Sequence, residues 1–115
     1  MFKLDCHCGA VSLTVHAELP TEAMSCNCSH CRRKGLLLAF YPREQVTLDK
    51  GEEALAGYDF NKREIHHRFC STCGCQPFAE GKMPDGSPTR AINLRCAPDV
   101  DLDTIKLNKF DGASS

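Results

Sequence analysis

Hydrophobic and polar residues alternate with a period of two along much of the chain. The alternation is clearest in AVSLTVHAE, residues 10–18. Apolar Val11, Leu13 and Val15 alternate there with polar side chains, namely Ser12, Thr14 and His16. Successive side chains of a strand point to opposite faces, so this segment predicts a half-buried strand.

Three further segments predict strands. LLLAFY, residues 36–41, is a continuous apolar run ended by Pro42 and indicates a buried strand. Two alternating segments each place three residues on one face: Ile65, His67 and Phe69 in the first, and Ile92, Leu94 and Cys96 in the second. Asp85-Gly86 predicts an exposed turn before the last strand. Residues 52–60 suggest a helical turn that Gly57 would end, so we expect a β-rich domain with little helix.

The composition points to one small domain that needs a staple. A chain of 115 residues accommodates a single domain, taken as residues 1–115. Aromatic residues make up 7% of it and Trp is absent, so the hydrophobic core will be modest. Because there are nine cysteines, we expect disulfide bonds or a bound metal ion to add the stability that a small core lacks. A net charge of −1 argues against a nucleic-acid partner.

The setting of the cysteines favours metal over disulfides. The first residues, MFKLDCHCG, lack the apolar core of a signal peptide, and no apolar run is long enough to span a membrane. We therefore expect a cytoplasmic protein without a membrane partner. In a reducing compartment, densely spaced cysteines indicate metal binding, with disulfides or free thiols as the alternative.

Two cysteine pairs are far apart in the chain but alike in sequence. Cys6 and Cys8 precede one glycine, and Cys70 and Cys73 precede another, Gly74. A glycine at this place lets the backbone turn tightly, so that N–H groups point at the sulfurs. Four thiolates from two such pairs make a closed tetrahedron, the signature of structural zinc.

A third cluster offers three thiolates, Cys26, Cys28 and Cys31. Three protein ligands and an open fourth position are typical of catalytic zinc. Zinc with three thiolates accepts another soft ligand, and a small thiol is a sensible one. The alternative is a closed structural site, completed by one of several side chains: His30, Cys75, Cys96, His66 or His67. Spacing alone leaves the open and closed sites equally favoured.

The cysteine motifs, with their flanking residues, resemble a known family. CHCGAV, CNCSHCRRKG, CSTCG preceded by HHRF, INLRC and a final KFDG fall in the order found in glutathione-dependent formaldehyde-activating enzymes. Members are also described as S-(hydroxymethyl)glutathione synthases, and a eukaryotic branch includes centromere protein V. The resemblance extends from Cys6 to Gly112.

The resemblance implies two zinc ions per chain. A structural zinc would be held by Cys6, Cys8, Cys70 and Cys73, and a catalytic zinc by Cys26, Cys28 and Cys31. It also implies a mainly β fold of coiled antiparallel sheets organised around zinc, shared with a Rab-binding zinc chaperone. The implied activity is that of a carbon–sulfur lyase, with glutathione and formaldehyde combining into S-hydroxymethylglutathione at the second zinc.

Several residues carry competing interpretations. The basic run Arg32, Arg33 and Lys34 either attracts the glutathione carboxylates or is a solvated turn, and the solvated turn is favoured. Cys75, Cys96 and Phe78 are expected in the core. His7 is expected to point away from the metal, and a surface position is favoured for the histidine of the 66–67 pair that faces a site. A zinc-stabilised protein-binding module with two closed sites is the alternative to an enzyme.

Overall fold

The structure, a computed structural model, describes residues 1–59 and 65–114. Ten strands and one short helix lie within these residues. The strands are β1 (Phe2–Asp5), β2 (Ser12–Val15), β3 (Glu22–Cys26), β4 (Leu38–Pro42), β5 (Val46–Lys50), β6 (Leu55–Tyr58), β7 (His66–Cys70), β8 (Phe78–Lys82), β9 (Pro88–Asn93) and β10 (Lys106–Phe110). The helix is α1 (Ser29–Lys34). Short 3-10 turns cover Arg43–Gln45, Glu52–Ala54, Leu94–Cys96 and Gly112–Ser114.

The strands form two sheets, which confirms the predicted mainly β fold. A three-stranded antiparallel sheet has the order β1-β2-β5, and a seven-stranded sheet has the order β10-β3-β4-β9-β8-β7-β6. The pairs of the larger sheet are antiparallel, except that β10 runs parallel to β3 at its edge. The larger sheet is thus mixed, and β10 enters it from the distant end of the sequence.

Side chains from both sheets form one hydrophobic core. Leu4 and Leu13 of the smaller sheet are fully buried in the same cluster as Phe78 and Ile92 of the larger sheet. This arrangement confirms the core position expected for Phe78. A second, smaller cluster lies under α1, with the buried members Cys31, Leu36, Leu38, Ala79 and Ala91. The helix therefore rests on a patch of small and aliphatic side chains of the larger sheet.

Three strands differ in burial or length from their sequence patterns. The polar face of β2 is buried too, since Ser12 and Thr14 are 8% and 6% exposed, and Thr14 donates a hydrogen bond to Asp49 at 2.5 Å. The expected buried strand at 36–41 begins only at Leu38, and Phe40 in it is 47% exposed. The last predicted strand ends at Asn93, after which Leu94–Cys96 form a 3-10 turn.

The two turns predicted from the sequence are present in the structure. Asp85 and Gly86 form the expected exposed turn, with the Ser87 N–H donating to the Asp85 carboxylate at 2.9 Å. The expected helical turn is a 3-10 turn at Glu52–Ala54, and Gly57 lies inside the following strand β6. The end of that segment, Phe60, lies outside the described residues. No helix of the described part has both the length and the apolar character needed to cross a membrane.

Replacing Gly51 by Ala should destabilise the fold more than replacing Gly86. Both glycines have positive φ, +97° and +87°, which costs an L-residue about 1–2 kcal/mol. A Cβ on Gly51 would also collide with the Ala10 carbonyl oxygen, whereas a Cβ on Gly86 would meet no atom within 4 Å. Overpacking of this kind costs roughly 1–3 kcal/mol more.

Urea unfolding of the two variants at equal zinc loading measures this difference. We expect a clearly lower midpoint for Gly51→Ala than for Gly86→Ala. Equal urea midpoints would show that the backbone at Ala10 shifts to make room for the Cβ without loss of stability. That result would contradict the close approach in the structure.

Candidate metal centres and the adjoining cavity

The two distant cysteine pairs converge on one site. Cys6 and Cys8 follow β1, Cys70 ends β7, and Cys73 lies in the turn after it. Their four Sγ atoms lie within 4.8 Å of one another. The Cys6–Cys8 and Cys8–Cys70 Sγ separations are both 3.6 Å. Zinc–sulfur bonds of about 2.3 Å in a tetrahedron require sulfurs about 3.8 Å apart, so the four sulfurs fit a metal ion.

The turns at this first centre are built as the two glycines predict. Gly9 and Gly74 have φ values of 79° and 80°. The Val11 N–H donates to Cys6 Sγ at 3.3 Å, and the Thr72 N–H donates to Cys70 Sγ at 3.4 Å. Amide donors of this kind stabilise negative charge on sulfur, and thiolate is the form that binds metal.

The pKa values at this centre reflect four sulfurs that share negative charge. The backbone N–H groups of Cys75 and then Cys8 lower the pKa of Cys73 to about 5. The Ala10 N–H also favours the Cys8 thiolate, but desolvation and the Cys6 and Cys70 sulfurs raise the pKa of Cys8 to about 11. A metal ion removes this conflict because its positive charge lets all four sulfurs ionise.

The second centre brings together Cys26, Cys28 and Cys31 at the start of α1. Their Sγ atoms also lie within 4.8 Å of one another. Cys26 ends β3, Cys28 is the N-cap of α1, and Cys31 is buried in the helix. The Cys28 N–H donates to Cys26 Sγ at 3.4 Å and the Cys31 N–H to Cys28 Sγ at 3.3 Å. Gly35, with φ of 68°, ends the helix.

The three sulfurs differ in their acidity. Burial and then the Cys28 sulfur raise the pKa of Cys31. At Cys28 burial acts in the same direction, but the Cys31 N–H and neighbouring sulfurs outweigh it, and the pKa is lowered. The Cys28 thiolate at the N-cap of α1 is therefore favoured even before a metal ion binds.

In the described residues, no fourth His, Cys, Asp or Glu joins these three sulfurs within the same distance. The side chains that could have completed a four-ligand site at this centre have other neighbours. Cys75 and Cys96 pack against the main core, as expected, and burial raises the pKa of Cys96 to about 12. His66 pairs with the Asp59 carboxylate at 3.0 Å. The second group therefore offers a metal ion three sulfurs.

His67 is buried, contrary to the surface position favoured from sequence. Its ring lies against that of His30 of α1, with centroids 3.9 Å apart and the planes tilted by 32°, and only 4% of the residue is exposed. The Gln76 side-chain amide donates to His67 Nδ1 at 2.8 Å, which places the ring proton on Nε2. Burial, followed by the charge of His30, lowers the pKa of His67 to about 4. The contact between the His30 and His67 rings joins the helix to β7.

A cavity of about 690 Å³ lies beside this pair of rings. Its lining residues are Ser29, His30, Arg33, Lys34, Gly57, Tyr58 and Phe69. Lys34 Nζ lies 4.7 Å from the centre of the Phe69 ring, and Arg33 donates to the Ser29 carbonyl at 2.9 Å. Two members of the basic run thus line a cavity large enough for a drug-sized ligand, while Arg32 is exposed outside it. None of the three cysteines belongs to the lining.

Two residues beside the second centre were not singled out from the sequence. Asn27 lies between two predicted ligands, and Gly112 reaches the sulfurs from the distant end of β10. The position of Asn27 between the cysteines was a local signal. Gly112 closes the KFDG motif, but its approach to the sulfurs could not be predicted because it depends on the pairing of β10 with β3.

The depressed pKa of His67 predicts that its ring stays neutral from pH 8 to pH 5.5. The folded pKa lies below the unfolded value of about 6.5, so this group favours folding above pH 6.5. That contribution is lost as the pH falls from about 6.5 toward 4, where the folded ring also takes its proton.

NMR of ¹⁵N-labelled histidine rings in the zinc-loaded protein measures the protonation directly. We expect the His67 ring to keep the shifts of the Nε2-protonated neutral form throughout. Exposed His7, which can be assigned with His7→Gln, provides an internal comparison. A His67 midpoint near pH 6.5 would contradict the burial of its ring.

Comparison with known proteins agrees with the motifs and the fold. A sequence model of the family described as glutathione-dependent formaldehyde-activating enzyme matches residues 1–100. The structure is similar to the crystal structure of a Rhodobacter sphaeroides protein, with a TM-score of 0.77 and 28% sequence identity. That similarity covers 92% of this chain and 99% of the other. The chain therefore belongs to the glutathione-dependent formaldehyde-activating enzyme family.

Proposed function

We propose that this protein is a zinc-dependent enzyme of the carbon–sulfur lyase type. It joins glutathione, or a similar thiol, to formaldehyde or a related aldehyde and forms an S-hydroxymethyl thiol adduct. The observation that carries the proposal is the group Cys26, Cys28 and Cys31, which has no fourth protein ligand among the described residues. Membership of the family supports the choice of thiol and aldehyde. Residues 1–115 then act as one cytoplasmic zinc-binding domain.

The two metal centres have different tasks in this proposal. Cys6, Cys8, Cys70 and Cys73 hold a structural zinc, since four sulfurs fill its coordination. Cys26, Cys28 and Cys31 hold the second zinc and leave room for one outside ligand. When bound there, zinc lowers the pKa of a coordinated thiol, so that the thiol is ionised near neutral pH.

The cavity beside α1 supplies a place for the rest of the thiol substrate. Arg33 and Lys34 present two cations that suit the carboxylates of glutathione. Arg33 lies five positions after Cys28, about 7.5 Å along a helix axis. An extended tripeptide spans roughly 10 Å, which exceeds that axial distance. Tyr58 and Phe69 add aromatic walls to the same cavity.

The bond changes balance without an oxidant or a reductant. A sulfur lone pair forms the C–S bond to the aldehyde carbon, and the carbonyl π electrons move to the oxygen. That oxygen gains one proton, and the thiol has given up one. The residues have to bind and orient the thiol, because proximity converts a bimolecular encounter into a reaction within one complex.

A zinc-stabilised protein-binding module remains the alternative function. Its support is the set of large apolar side chains at the surface, among them Phe40, Tyr58 and Ile65, which are 47%, 52% and 53% exposed. A module of this kind needs no outside ligand at the second zinc. Thiol binding at that zinc therefore separates the two functions.

Native mass spectrometry with and without glutathione tests the proposal. We expect two zincs per chain and a glutathione adduct in the wild-type protein. Cys28→Ser should stay folded, lose the adduct and form S-hydroxymethylglutathione no faster than the uncatalysed reaction. Cys73→Ser removes a ligand of the first centre and should destabilise the fold by several kcal/mol, since structural zinc contributes directly to folding.

Two results would contradict the proposal. Two zincs without any adduct in the wild-type protein would favour the binding module. Unfolding of Cys28→Ser to the same extent as Cys73→Ser would make both centres structural.

Neutralising Arg33 or Lys34 should weaken glutathione binding, whereas neutralising Arg32 should not. Partly exposed charge pairs contribute up to about 1 kcal/mol each, so we expect a rise in Kd of up to about fivefold for each variant. Arg32→Ala is the matched control because it removes the same charge from the same helix but lies outside the cavity lining.

Isothermal titration at two salt concentrations measures both effects. The difference between the variants should shrink at high salt, because ions screen exposed charges. Equal affinities for Arg32→Ala, Arg33→Ala and Lys34→Ala would exclude the cavity as the carboxylate site.

A further inference from the structure

The segment Phe110–Ser114, termed here the closing turn, packs against the second cysteine group from the far end of the sequence. β10 pairs in parallel with β3, and this register places Phe110 beside Cys26. The chain then turns over the sulfurs. A Cβ on Gly112 would collide with Cys26 Sγ and would lie 3.2 Å from Cys28 Cβ. Gly112 is therefore in van der Waals contact with the group that would hold the second metal.

Asn27 fastens this turn with its backbone and with both ends of its side chain. Its N–H donates to the Phe110 carbonyl at 3.1 Å. Its side-chain amide donates to the Asp111 carboxylate at 3.0 Å, and its side-chain oxygen accepts from the Ala113 N–H at 2.9 Å. Because Asn27 lies between Cys26 and Cys28, each of these bonds fixes the backbone that carries two of the sulfurs.

Asp111 also holds the closing turn in place. Its second carboxylate oxygen accepts a hydrogen bond from the Ser114 hydroxyl at 2.8 Å. Hydrogen bonds from Ser114 and then Asn27 lower the pKa of Asp111, so the carboxylate is ionised when Asn27 donates to it. Both carboxylate oxygens are thus engaged within the turn, and Asp111 does not join the sulfurs as a ligand.

The closing turn and the cavity involve different residues. The cavity is lined by α1, β6 and β7, and no residue of the closing turn belongs to its lining. Cys31 is covered by the sheet side chains under the helix. The closing turn therefore contacts Cys26 and Cys28, whereas the cavity is formed by other residues of α1, β6 and β7.

We propose that Asn27 and Gly112 are positioning residues, through which the closing turn holds Cys26 and Cys28 in place so that three sulfurs suffice to retain a metal ion. A three-ligand site has less binding free energy than a four-ligand site, and fixed sulfurs offset part of that deficit by reducing the entropy lost on binding. The inference rests on the second zinc of the proposed function but not on the aldehyde chemistry.

Gly112→Ala tests the contact, and Gly81→Ala is its matched control. Neither glycine has a positive φ, and a Cβ on Gly81 would make only ordinary contacts, the nearest at 3.8 Å. Asn27→Asp is the second variant. It keeps the oxygen that accepts from Ala113 and replaces the amide donor by an oxygen that repels the Asp111 carboxylate.

The measurement is zinc occupancy by native mass spectrometry during competition with a chelator, together with Co²⁺ absorption spectra. Supporting residues beside metal ligands typically change affinity about 10–100-fold. We expect the zinc affinity of the second centre to fall by about 10–100-fold in Gly112→Ala and in Asn27→Asp. The zinc affinity of the four-cysteine centre should stay unchanged and serves as an internal reference. Gly81→Ala should match the wild-type protein.

The outcomes separate this inference from the proposed function. Wild-type affinity at the second centre in both Gly112→Ala and Asn27→Asp would overturn the positioning role. If Gly112→Ala loses both metals through unfolding, the result for Asn27→Asp decides. A wild-type protein that takes up only one metal would refute the proposed second zinc itself, and this inference with it.

Discussion

Four sulfurs from two sheets meet at Cys6, Cys8, Cys70 and Cys73, and the rest of the structure depends on this junction. Cys8 and Cys70 are 62 positions apart in the chain, yet their sulfurs are 3.6 Å apart. Closing a loop of that length costs on the order of 4 kcal/mol in chain entropy. Structural zinc sites contribute about 10–16 kcal/mol, so a metal ion held here outweighs that cost. The junction joins the end of β1 to the end of β7 in a domain with few aromatic side chains.

The second cysteine group depends on this junction through the larger sheet. β7 carries His67, whose ring supports His30 of α1, and α1 carries Cys28 at its N-cap and Cys31 within it. β3 brings Cys26, and β10 brings the closing turn into contact with it. The surroundings of the three sulfurs are thus assembled from a helix, a strand and a distant turn. Hydrogen bonds and ring contacts hold these elements together, and backbone N–H groups likewise support the sulfurs of the first centre.

The sequence was most informative where structure is local. Cysteines two or three residues apart have to lie close together, so the group Cys26, Cys28 and Cys31 could be predicted from spacing. The convergence of the two distant pairs followed from their likeness, since each precedes a glycine, and the turns at Gly9 and Gly74 followed with it. Alternation predicted a mainly β fold, but it could not show that Thr14 is buried. That burial depends on a neighbouring strand and on Asp49. Helix α1 was missed because six residues carry little periodicity and its N-cap is a cysteine sulfur. The burial of His67 and the approach of Gly112 depend on contacts between distant strands, which no local pattern records.

Cadmium NMR shows whether the second centre accepts a thiol from outside the chain. ¹¹³Cd replaces zinc at cysteine sites, and its chemical shift reports how many sulfurs surround each ion. We expect two signals, of which the one from the centre with fewer sulfurs moves toward the four-sulfur signal when glutathione is added. Two four-sulfur signals before the addition, or two signals that glutathione leaves unchanged, would rule out an outside thiol at this centre.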